Sequence, residues 1–418
     1  MKEMNPKEMT IADFDYPLPD DRIALFPLEE RDASKLLLYK EGNIEEHPFS
    51  ALPEQLSPGD LLVFNNSRVI NARLKFQKLT GGIIEIFCLE PVDAFCGYRH
   101  SLTASKTSVW KCLVGGISKW KSGAVTKDIA IQGRPLYLSA EIVEKLEDSW
   151  LIRFSWDNGQ ISFLEILENT GQVPLPPYIK RNAEESDMER YQTIFAKEQG
   201  SVAAPTAGLH FTPRVLKALA NRGISRQELT LHVGAGTFKP VSTATMENHV
   251  MHSEWIEITE SLINSLINTK GKIVAVGTTS LRSLESLFWV AYKIMTTGDF
   301  NAEAGIGQWE IYEEVTLTHK YSRIPMLKIL IEWMKQKGIT RLYTQTRILI
   351  TPGYKFRVAD ALVTNFHQPR STLLLLVAAA TNNEWWRLYE YALANQFRFL
   401  SYGDSSLIFF DKAVMAES

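Results

Sequence analysis

Cysteine is scarce in this sequence of 418 residues, which has only three, Cys88, Cys96 and Cys112. Their number is odd and no two form a CxxC pair, which argues against a closed disulfide framework and against the usual cysteine pattern of a zinc site. All three lie within one short stretch of the chain. The scarcity therefore predicts reduced thiols and a cytoplasmic protein.

Long hydrophobic runs and an excess of one charge are missing as well. The longest wholly apolar run, residues 373–380, is too short to span a bilayer, and no positively charged start precedes an apolar segment. We therefore expect no membrane attachment. The 45 lysines and arginines are balanced by 48 aspartates and glutamates, giving a formal net charge of -3. Any nucleic-acid site must then be a local basic patch.

The composition is that of a large globular protein, with 45% hydrophobic and 22% charged residues. A chain of this length exceeds what one core usually organises, so we expect two domains or one domain with an insertion. Helix and strand signals are clearest in the second half, where Thr212 and Pro213 start a helix that Gly223 ends. The predicted elements there are a helix at 212–223, a strand at 227–233, a helix at 259–270, a strand at 272–276 and a helix from about Leu281. Alternating strands and helices predict an α/β main domain with a mixed sheet.

Residues 72–153 have a different pattern, with short apolar alternations, glycine pairs and one plausible helix. This pattern predicts a small all-β, barrel-like domain inserted into the α/β main domain, which then comprises residues 1–71 and 154–418. Residues 286–343, which include an amphipathic helix, are predicted to be an elaboration of the main domain.

Polar and small residues suited to a site cluster in five segments. The first, GSVAAPTAGLHF at 200–211, allows close approach of a ligand at Gly208 and presents His210 just before a helix. A structural turn with a hydrogen-bonded histidine is the commoner use of such a segment. The second, 231–238, ends a strand in His232 and a glycine-rich loop, which suits a binding loop and a β-turn equally.

The other three segments differ in specificity. His249 and His252 have the HxxH spacing of metal ligands, but no neighbouring pattern completes a zinc set, so a structural or substrate-contacting role is favoured. Residues 277–282 place backbone N–H groups where a strand meets a helix, which suits an anionic group or an ordinary helix cap. Residues 364–372 collect an amide, an imidazole, a guanidinium and hydroxyls before an apolar helix, which favours a ligand over a capping loop.

Together and in this order, these segments resemble the S-adenosylmethionine:tRNA ribosyltransferase-isomerases of queuosine biosynthesis. The most specific match is YQT at 191–193 followed by residues 200–212. The other matching segments are 13–19, 27–34, 59–65, 174–179, 276–282, 352–354 and 398–404. The resemblance covers both ends of the chain and implies an α/β domain with an inserted β-barrel.

Such an enzyme acts on tRNA that carries 7-aminomethyl-7-deazaguanine at the wobble position of the anticodon, and the implied product is epoxyqueuosine-tRNA. S-adenosylmethionine is the implied co-substrate. It donates its ribosyl group and releases adenine and methionine, and no metal is expected. We also expect a monomer.

The implied reaction needs a base and an acid. The sulfonium acidifies the ribose C5′ protons and departing adenine requires a proton, so histidine suits both steps. The catalytic candidates, which the sequence does not rank, are His210, His232 and His367. The candidates for binding S-adenosylmethionine are Gly208, Gly234, Gly236, Thr237, Gly277, Thr278, Thr279 and Arg282, of which the last four suit the methionine carboxylate. The candidates for binding the substrate are Arg68, Asn365, Arg370 and Asp404, with Asp404 suited to an ammonium or aminomethyl group.

RNA contact requires local positive charge, and the region 72–153 offers lysines interleaved with Trp110 and Trp120. These lysines are Lys106, Lys111, Lys119, Lys121 and Lys127. An RNA-binding patch and a solvated strand face explain them equally well.

Several positions depart from the family pattern. Asn66 stands where an aspartate is usual, Gln368 where a leucine is usual and Arg370 where a lysine is usual. The alternatives are therefore a non-catalytic paralogue that binds tRNA or S-adenosylmethionine and, with less support, an S-adenosylmethionine-dependent methyltransferase.

Overall fold

The computed structural model describes residues 5–78, 81–234, 241, 243–313 and 321–416. The strands, in chain order, are β1 (Lys35–Lys40), β2 (Asn43–Pro48), β3 (Leu61–Asn65), β4 (Ser67–Val69), β5 (Arg73–Gln77), β6 (Ile83–Pro91), β7 (Thr107–Gly115), β8 (Val125–Ile131), β9 (Arg134–Lys145), β10 (Trp150–Trp156), β11 (Glu198–Ser201), β12 (Ser225–Leu231), β13 (Glu254–Thr259), β14 (Ile273–Val276), β15 (Arg341–Thr346), β16 (Ala361–Asn365) and β17 (Ser405–Phe409). The described α-helices are α1 (Tyr98–Leu102), α2 (Phe163–Thr170), α3 (Asp187–Arg190), α4 (Pro213–Asn221), α5 (Glu260–Asn268), α6 (Thr278–Thr297), α7 (Glu310–Glu313), α8 (Arg323–Gln336), α9 (Thr372–Ala380) and α10 (Trp385–Ala394). Within these ranges, no helix is long and apolar enough to cross a membrane.

A mixed sheet of nine strands, in the order β15-β13-β12-β3-β14-β16-β17-β1-β2, forms the centre of the larger part. Four strands, β12, β3, β14 and β16, are parallel to one another, whereas β12 is antiparallel to β13 and β16 is antiparallel to β17. Alternate residues of β3 pack into two core layers on opposite faces of the sheet. Leu61 and Val63 share a layer with α5, α6 and α8. Leu62 and Phe64 share the other layer with α4. Because both faces are covered, all five residues of β3 are buried. The predicted mixed α/β sheet is confirmed.

Local signals in the sequence account for the helices around this sheet. The hydroxyl of Thr212 accepts a hydrogen bond from the N–H of Val215 at 3.2 Å, Pro213 is the first residue of α4, and Gly223 has a φ of +72° just beyond its end. Helix α6 starts at Thr278, with Gly277 alone between it and β14, three residues earlier than the sequence predicts.

A six-stranded antiparallel sheet, β5-β6-β7-β10-β9-β8, forms the second part, and β5 approaches β8 so that the sheet nearly closes into a barrel. Its strands lie between Arg73 and Trp156, and α2 packs into its core. The barrel-like all-β architecture is therefore confirmed. The assignment of residues 72–153 as an inserted domain and of residues 286–343 as an elaboration stays a prediction.

The interior of this barrel corrects one part of the predicted RNA patch. Trp110 and Trp120 are only 0% and 3% exposed, and their indole nitrogens donate to the Ser108 hydroxyl and the Gly123 carbonyl. Side chains alternate along β7, so Trp110 points inward between outward-facing neighbours. The tryptophans are core residues and cannot stack on bases. The cysteines are all free, and Cys88 faces Cys112 across β6 and β7.

Candidate active site

A cleft lies at the carboxyl ends of the parallel strands β12, β14 and β16, which is where open α/β sheets commonly bind ligands. The residues that line it are Tyr178, Ala204, Pro205, Thr206, Ala207, Val233, Gly277, Thr278, Thr279, Thr364, Asn365, Phe366, His367, Gln368, Ser371, Leu373, Leu400 and Ser401. Four of the five predicted segments contribute to this lining. None of the described lining residues is a carboxylate, lysine or arginine, so His367 and Tyr178 are its titratable side chains.

The first turn of α6 forms one wall of the cleft. Gly277 joins β14 to α6 with a φ of +91°, a conformation that favours glycine, and its N–H donates to the Val363 carbonyl at 2.8 Å. The next residues, Thr278 and Thr279, line the cleft. The first N–H groups of a helix have no partner within the helix, so this wall is suited to an anionic group.

His367 is the one catalytic candidate that lines the cleft. Its Nε2 lies 2.9 Å from the Thr364 hydroxyl, its N–H donates to the Tyr389 hydroxyl at 3.0 Å, and its carbonyl accepts from the Tyr16 hydroxyl. Burial lowers the pKa of His367 to about 3. The ring is therefore neutral at pH 7 and able to accept a proton.

His210 lies behind the cleft wall. Its Nδ1 is 2.8 Å from the Ser34 hydroxyl and its Nε2 is 3.1 Å from Oδ1 of Asn365, which itself lines the cleft. Burial lowers the pKa of His210 to about 4, although the hydrogen bond with Asn365 raises it. His210 does not line the cleft itself, and its Nε2 contacts the lining residue Asn365.

His232 belongs to a third location, beside the barrel. Its ring stacks on Tyr98 of α1 with centroids 4.2 Å apart, and burial lowers its pKa to about 3. A Cβ atom at Gly200 would lie 2.7 Å from His232 Nδ1 and from the Tyr98 ring, which explains a glycine there. The structure therefore does not bring the three candidate histidines together.

The candidates for binding S-adenosylmethionine also separate. Gly277, Thr278 and Thr279 line the cleft, and Gly234 follows the lining residue Val233 without lining the cleft itself. A Cβ at Gly208 would lie 2.8 Å from the Phe195 ring and 2.9 Å from the Thr193 methyl group, so close packing accounts for this glycine. Gly236 and Thr237 fall outside the described residues.

Arg282 points away from the cleft. Its guanidinium forms a buried ion pair with Glu254 and donates from Nε to the Ile348 carbonyl at 3.1 Å. It does not line the cleft, although Thr278, one helical turn earlier, does. Residues four apart lie on the same face of a helix but one turn apart along its axis. Thr278 therefore lines the cleft, whereas Arg282 contacts Glu254.

Of the substrate candidates, Asn365 alone lines the cleft. Its amide nitrogen donates to the carbonyls of Leu400 at 2.9 Å and Ser401 at 3.3 Å. Asp404 accepts from the backbone N–H groups of Lys35 and Arg398. These bonds connect both residues to the chain around the cleft, and their roles in substrate binding stay predictions.

The two arginines predicted for substrate binding lie elsewhere. Arg370 forms an exposed ion pair with Asp15, and Arg68 is exposed on β4. Asn66, the departure from the family aspartate, also lies outside the cleft lining, where it contacts Glu228 and Thr230. These two departures therefore lie outside the cleft lining, whereas Gln368, the third departure, lines the cleft.

The predicted HxxH pair is not on a helix. His249 and His252 follow a 3-10 turn, Met246–Asn248, in a segment without regular structure. Among the residues that the structure describes, no group of three or more histidine, cysteine, aspartate or glutamate side chains could hold a metal ion.

A family model described as "Queuosine biosynthesis protein" matches residues 11–408. The chain belongs to this family. Two similar relatives are named S-adenosylmethionine:tRNA ribosyltransferase-isomerase, from Trichlorobacter lovleyi and Citrifermentans bemidjiense, and each is 38% identical over 96% of this chain and 100% of its own length. A solved structure of the S-adenosylmethionine tRNA ribosyltransferase from Thermotoga maritima is 28% identical over 95% of this chain and 100% of that chain, with a TM-score of 0.45.

Two residues, Tyr178 and Glu285, have positions in the structure that the sequence patterns do not predict. Tyr178, in the 174–179 segment, lines the cleft, and its hydroxyl lies 2.6 Å from the Ser401 hydroxyl. Glu285 of α6 accepts hydrogen bonds from the N–H groups of residues 357–359 and from the Tyr354 hydroxyl. The family segment 352–354 thus has a structural partner. The matching segment gave a signal for Tyr178, but nothing in the sequence pointed to Glu285.

Proposed function

We propose that this chain is an S-adenosylmethionine:tRNA ribosyltransferase-isomerase. It transfers the ribosyl group of S-adenosylmethionine to 7-aminomethyl-7-deazaguanine in the anticodon region of tRNA, forms epoxyqueuosine-tRNA and releases adenine and methionine. The observation that carries the proposal is a cleft in which a neutral imidazole, His367, and the start of α6 line the same space. The names of full-length relatives support the same activity.

The lining of the cleft suits both the charged and the apolar parts of S-adenosylmethionine. The first N–H groups of α6, at Thr278 and Thr279, would receive the methionine carboxylate, and the dipole of this 20-residue helix favours a negative charge there. Val233, Phe366 and Leu400 provide apolar wall for the adenosine. The absence of cationic side chains from the described lining also avoids repulsion of the sulfonium.

His367 is the proposed base. The sulfonium of bound S-adenosylmethionine acidifies the C5′ protons, and a neutral imidazole within the cleft can accept one of them. The Thr364 hydroxyl, 2.9 Å from Nε2, holds the ring in place, and the bonds from Tyr389 and Tyr16 fix its backbone. His210 and His232 support the surrounding chain without entering the cleft.

The decisive experiment measures products. The protein is incubated with S-adenosylmethionine and tRNA carrying 7-aminomethyl-7-deazaguanine, and adenine and methionine are separated chromatographically. Free adenine in proportion to modified tRNA is the expected result. S-Adenosylhomocysteine would instead identify a methyltransferase. Intact binding of both substrates without adenine at saturating donor would identify a non-catalytic paralogue. A cytoplasmic monomer stays a prediction, and sedimentation tests the oligomeric state.

A further inference from the structure

A recess beside the cleft contains three guanidinium groups. Arg31, Arg190 and Arg398 line it together with His210 and Ser401, and Ser401 also lines the cleft. Arg31 and Arg398 come from the segments 27–34 and 398–404, and Arg190 directly precedes the segment 191–193. All three arginines are half-buried.

Two of these arginines have no carboxylate partner among the described residues. Arg31 donates to the carbonyls of Gln192 at 2.6 Å and Glu189 at 3.0 Å, and Arg190 donates to the carbonyls of Glu29 and Leu28. A guanidinium has five N–H donors, so both arginines retain donors after these bonds. Backbone carbonyls hold the two side chains in place but do not neutralise their charge.

The acidic groups near the recess do not balance the three charges. Asp404 lies 3.3 Å from Arg398, and both of its oxygens also accept backbone N–H groups. The exposed carboxylate of Glu189 attracts Arg31 from beyond ion-pair distance. Burial lowers the pKa of Arg31, and the neighbouring positive charge of Arg190 lowers it further. Two like charges held together without a fixed anion favour an anionic ligand.

We propose that Arg31, Arg190 and Arg398 form a subsite for a phosphate group of the RNA backbone, next to the nucleotide that enters the cleft. This inference rests on the proposed function, because it takes the macromolecular substrate to be tRNA. Planar guanidinium groups suit the paired oxygens of a phosphodiester. A carboxylate has the same chemistry, and the methionine carboxylate of S-adenosylmethionine is the competing source. The start of α6 already offers a place for that carboxylate inside the cleft, which favours RNA for the recess.

The test uses binding alone, so it does not depend on turnover. Affinity for a tRNA anticodon stem-loop transcript is measured by fluorescence anisotropy over a series of salt concentrations, and S-adenosylmethionine binding is measured by equilibrium dialysis. Arg190→Gln removes one charge, and Arg190→Lys keeps it. Arg226→Gln is the matched control, because Arg226 is exposed near the start of β12, at the opposite end of the sheet from the cleft. Circular dichroism checks that every variant is folded.

We expect Arg190→Gln to weaken RNA binding about tenfold and to lower the slope of log affinity against log salt by about 0.7 to 0.9, the effect of losing one phosphate contact. Arg190→Lys keeps most of the slope, and Arg226→Gln keeps both affinity and slope. Binding of S-adenosylmethionine changes less than about twofold, because its carboxylate is placed at the start of α6 and not in the recess. Weaker S-adenosylmethionine binding with unchanged RNA binding would assign the recess to the carboxylate and overturn the proposal. An unchanged salt slope in a folded Arg190→Gln variant would also overturn it. Absence of adenine release would refute the proposed activity and leave these binding results intact.

Discussion

Nε2 of His210 lies 3.1 Å from Oδ1 of Asn365, and the Asn365 amide nitrogen donates to two backbone carbonyls. Since the amide oxygen accepts, the neutral imidazole donates from Nε2 and its Nδ1 faces the Ser34 hydroxyl at 2.8 Å. His210 therefore holds in place a residue of the cleft wall. Experiments can therefore distinguish a structural role of His210 from a catalytic role of His367.

His210→Ala is expected to reduce stability more than chemistry. The substitution opens a cavity at a buried site and leaves the polar atoms of Ser34 and Asn365 without their partner, which together cost about 2–4 kcal/mol of unfolding free energy. Urea denaturation followed by circular dichroism measures the loss. Adenine release at low temperature, where the variant is still folded, is expected to stay within about tenfold of the wild type. A folded variant of unchanged stability with no turnover would instead make His210 a catalytic residue.

His367→Ala is expected to have the opposite profile. Removal of the proposed base lowers kcat for adenine release by about 10²- to 10⁴-fold. The side chain is half-buried with one side-chain hydrogen bond, so the free energy of unfolding falls by only about 1 kcal/mol. His367→Gln is the matched control, since its amide can bond Thr364 but is not a base. Near-normal turnover in His367→Gln would remove His367 from the chemistry.

Local signals in the sequence predict the positions of helices and strands better than they predict contacts between distant residues. The Thr212 cap and Gly223 were enough to place α4, because a helix end depends on groups within a few residues of it. The order of strands and helices similarly predicted the mixed sheet. These features depend on short-range backbone geometry, which the sequence expresses directly.

The site depends on contacts between distant parts of the chain. The sequence predicts Arg282 beside the donor carboxylate, yet Arg282 is paired with Glu254, a residue of β13 that no local pattern links to α6. The positions of the two histidines depend on tertiary contacts in the same way. His210 contacts Asn365, and His367 contacts Thr364. The alternation of side chains along a strand can indicate that a side chain points inward, but not which residue it then contacts.

His232 provides a prediction for acid stability. Its folded-state pKa of about 3 lies below the ordinary value of 6.5, so the unfolded chain binds the proton more readily. The contribution of neutral His232 to the free energy of unfolding is then fully present above about pH 6.5, and it is lost as the pH decreases towards 3. At pH 5, one such histidine lowers the free energy of unfolding by about 2 kcal/mol relative to pH 7.5. Urea unfolding at both pH values measures this difference.

His232→Gln removes the titrating group and is expected to reduce the difference between pH 7.5 and pH 5, whatever its effect on stability at pH 7.5. The half-buried His47, which bonds Glu45, serves as the comparison through His47→Gln. An equal acid sensitivity in the wild type and His232→Gln would show that His232 does not control it.

Asn66 allows a test of whether the family departure affects the active site. Its amide nitrogen donates to Glu228 at 3.3 Å, and its oxygen accepts from the Thr230 hydroxyl at 2.8 Å. Asn66→Asp would restore the usual family residue but place a second carboxylate beside that of Glu228. Glu228 forms an ion pair with Lys197 at 2.7 Å, so the new carboxylate would meet a charged group. We expect a loss of about 1 kcal/mol at pH 7, measured by urea unfolding.

The double variant Asn66→Asp with Glu228→Gln separates this repulsion from other effects. A glutamine at 228 can donate to the new carboxylate, so the double variant is expected to recover most of the stability lost by Asn66→Asp, and a double-mutant cycle gives the coupling. Adenine release is expected to stay within about twofold throughout, because Asn66 does not line the cleft. A tenfold increase in turnover for Asn66→Asp would instead place residue 66 in the catalytic machinery and show that this chain had lost a functional carboxylate.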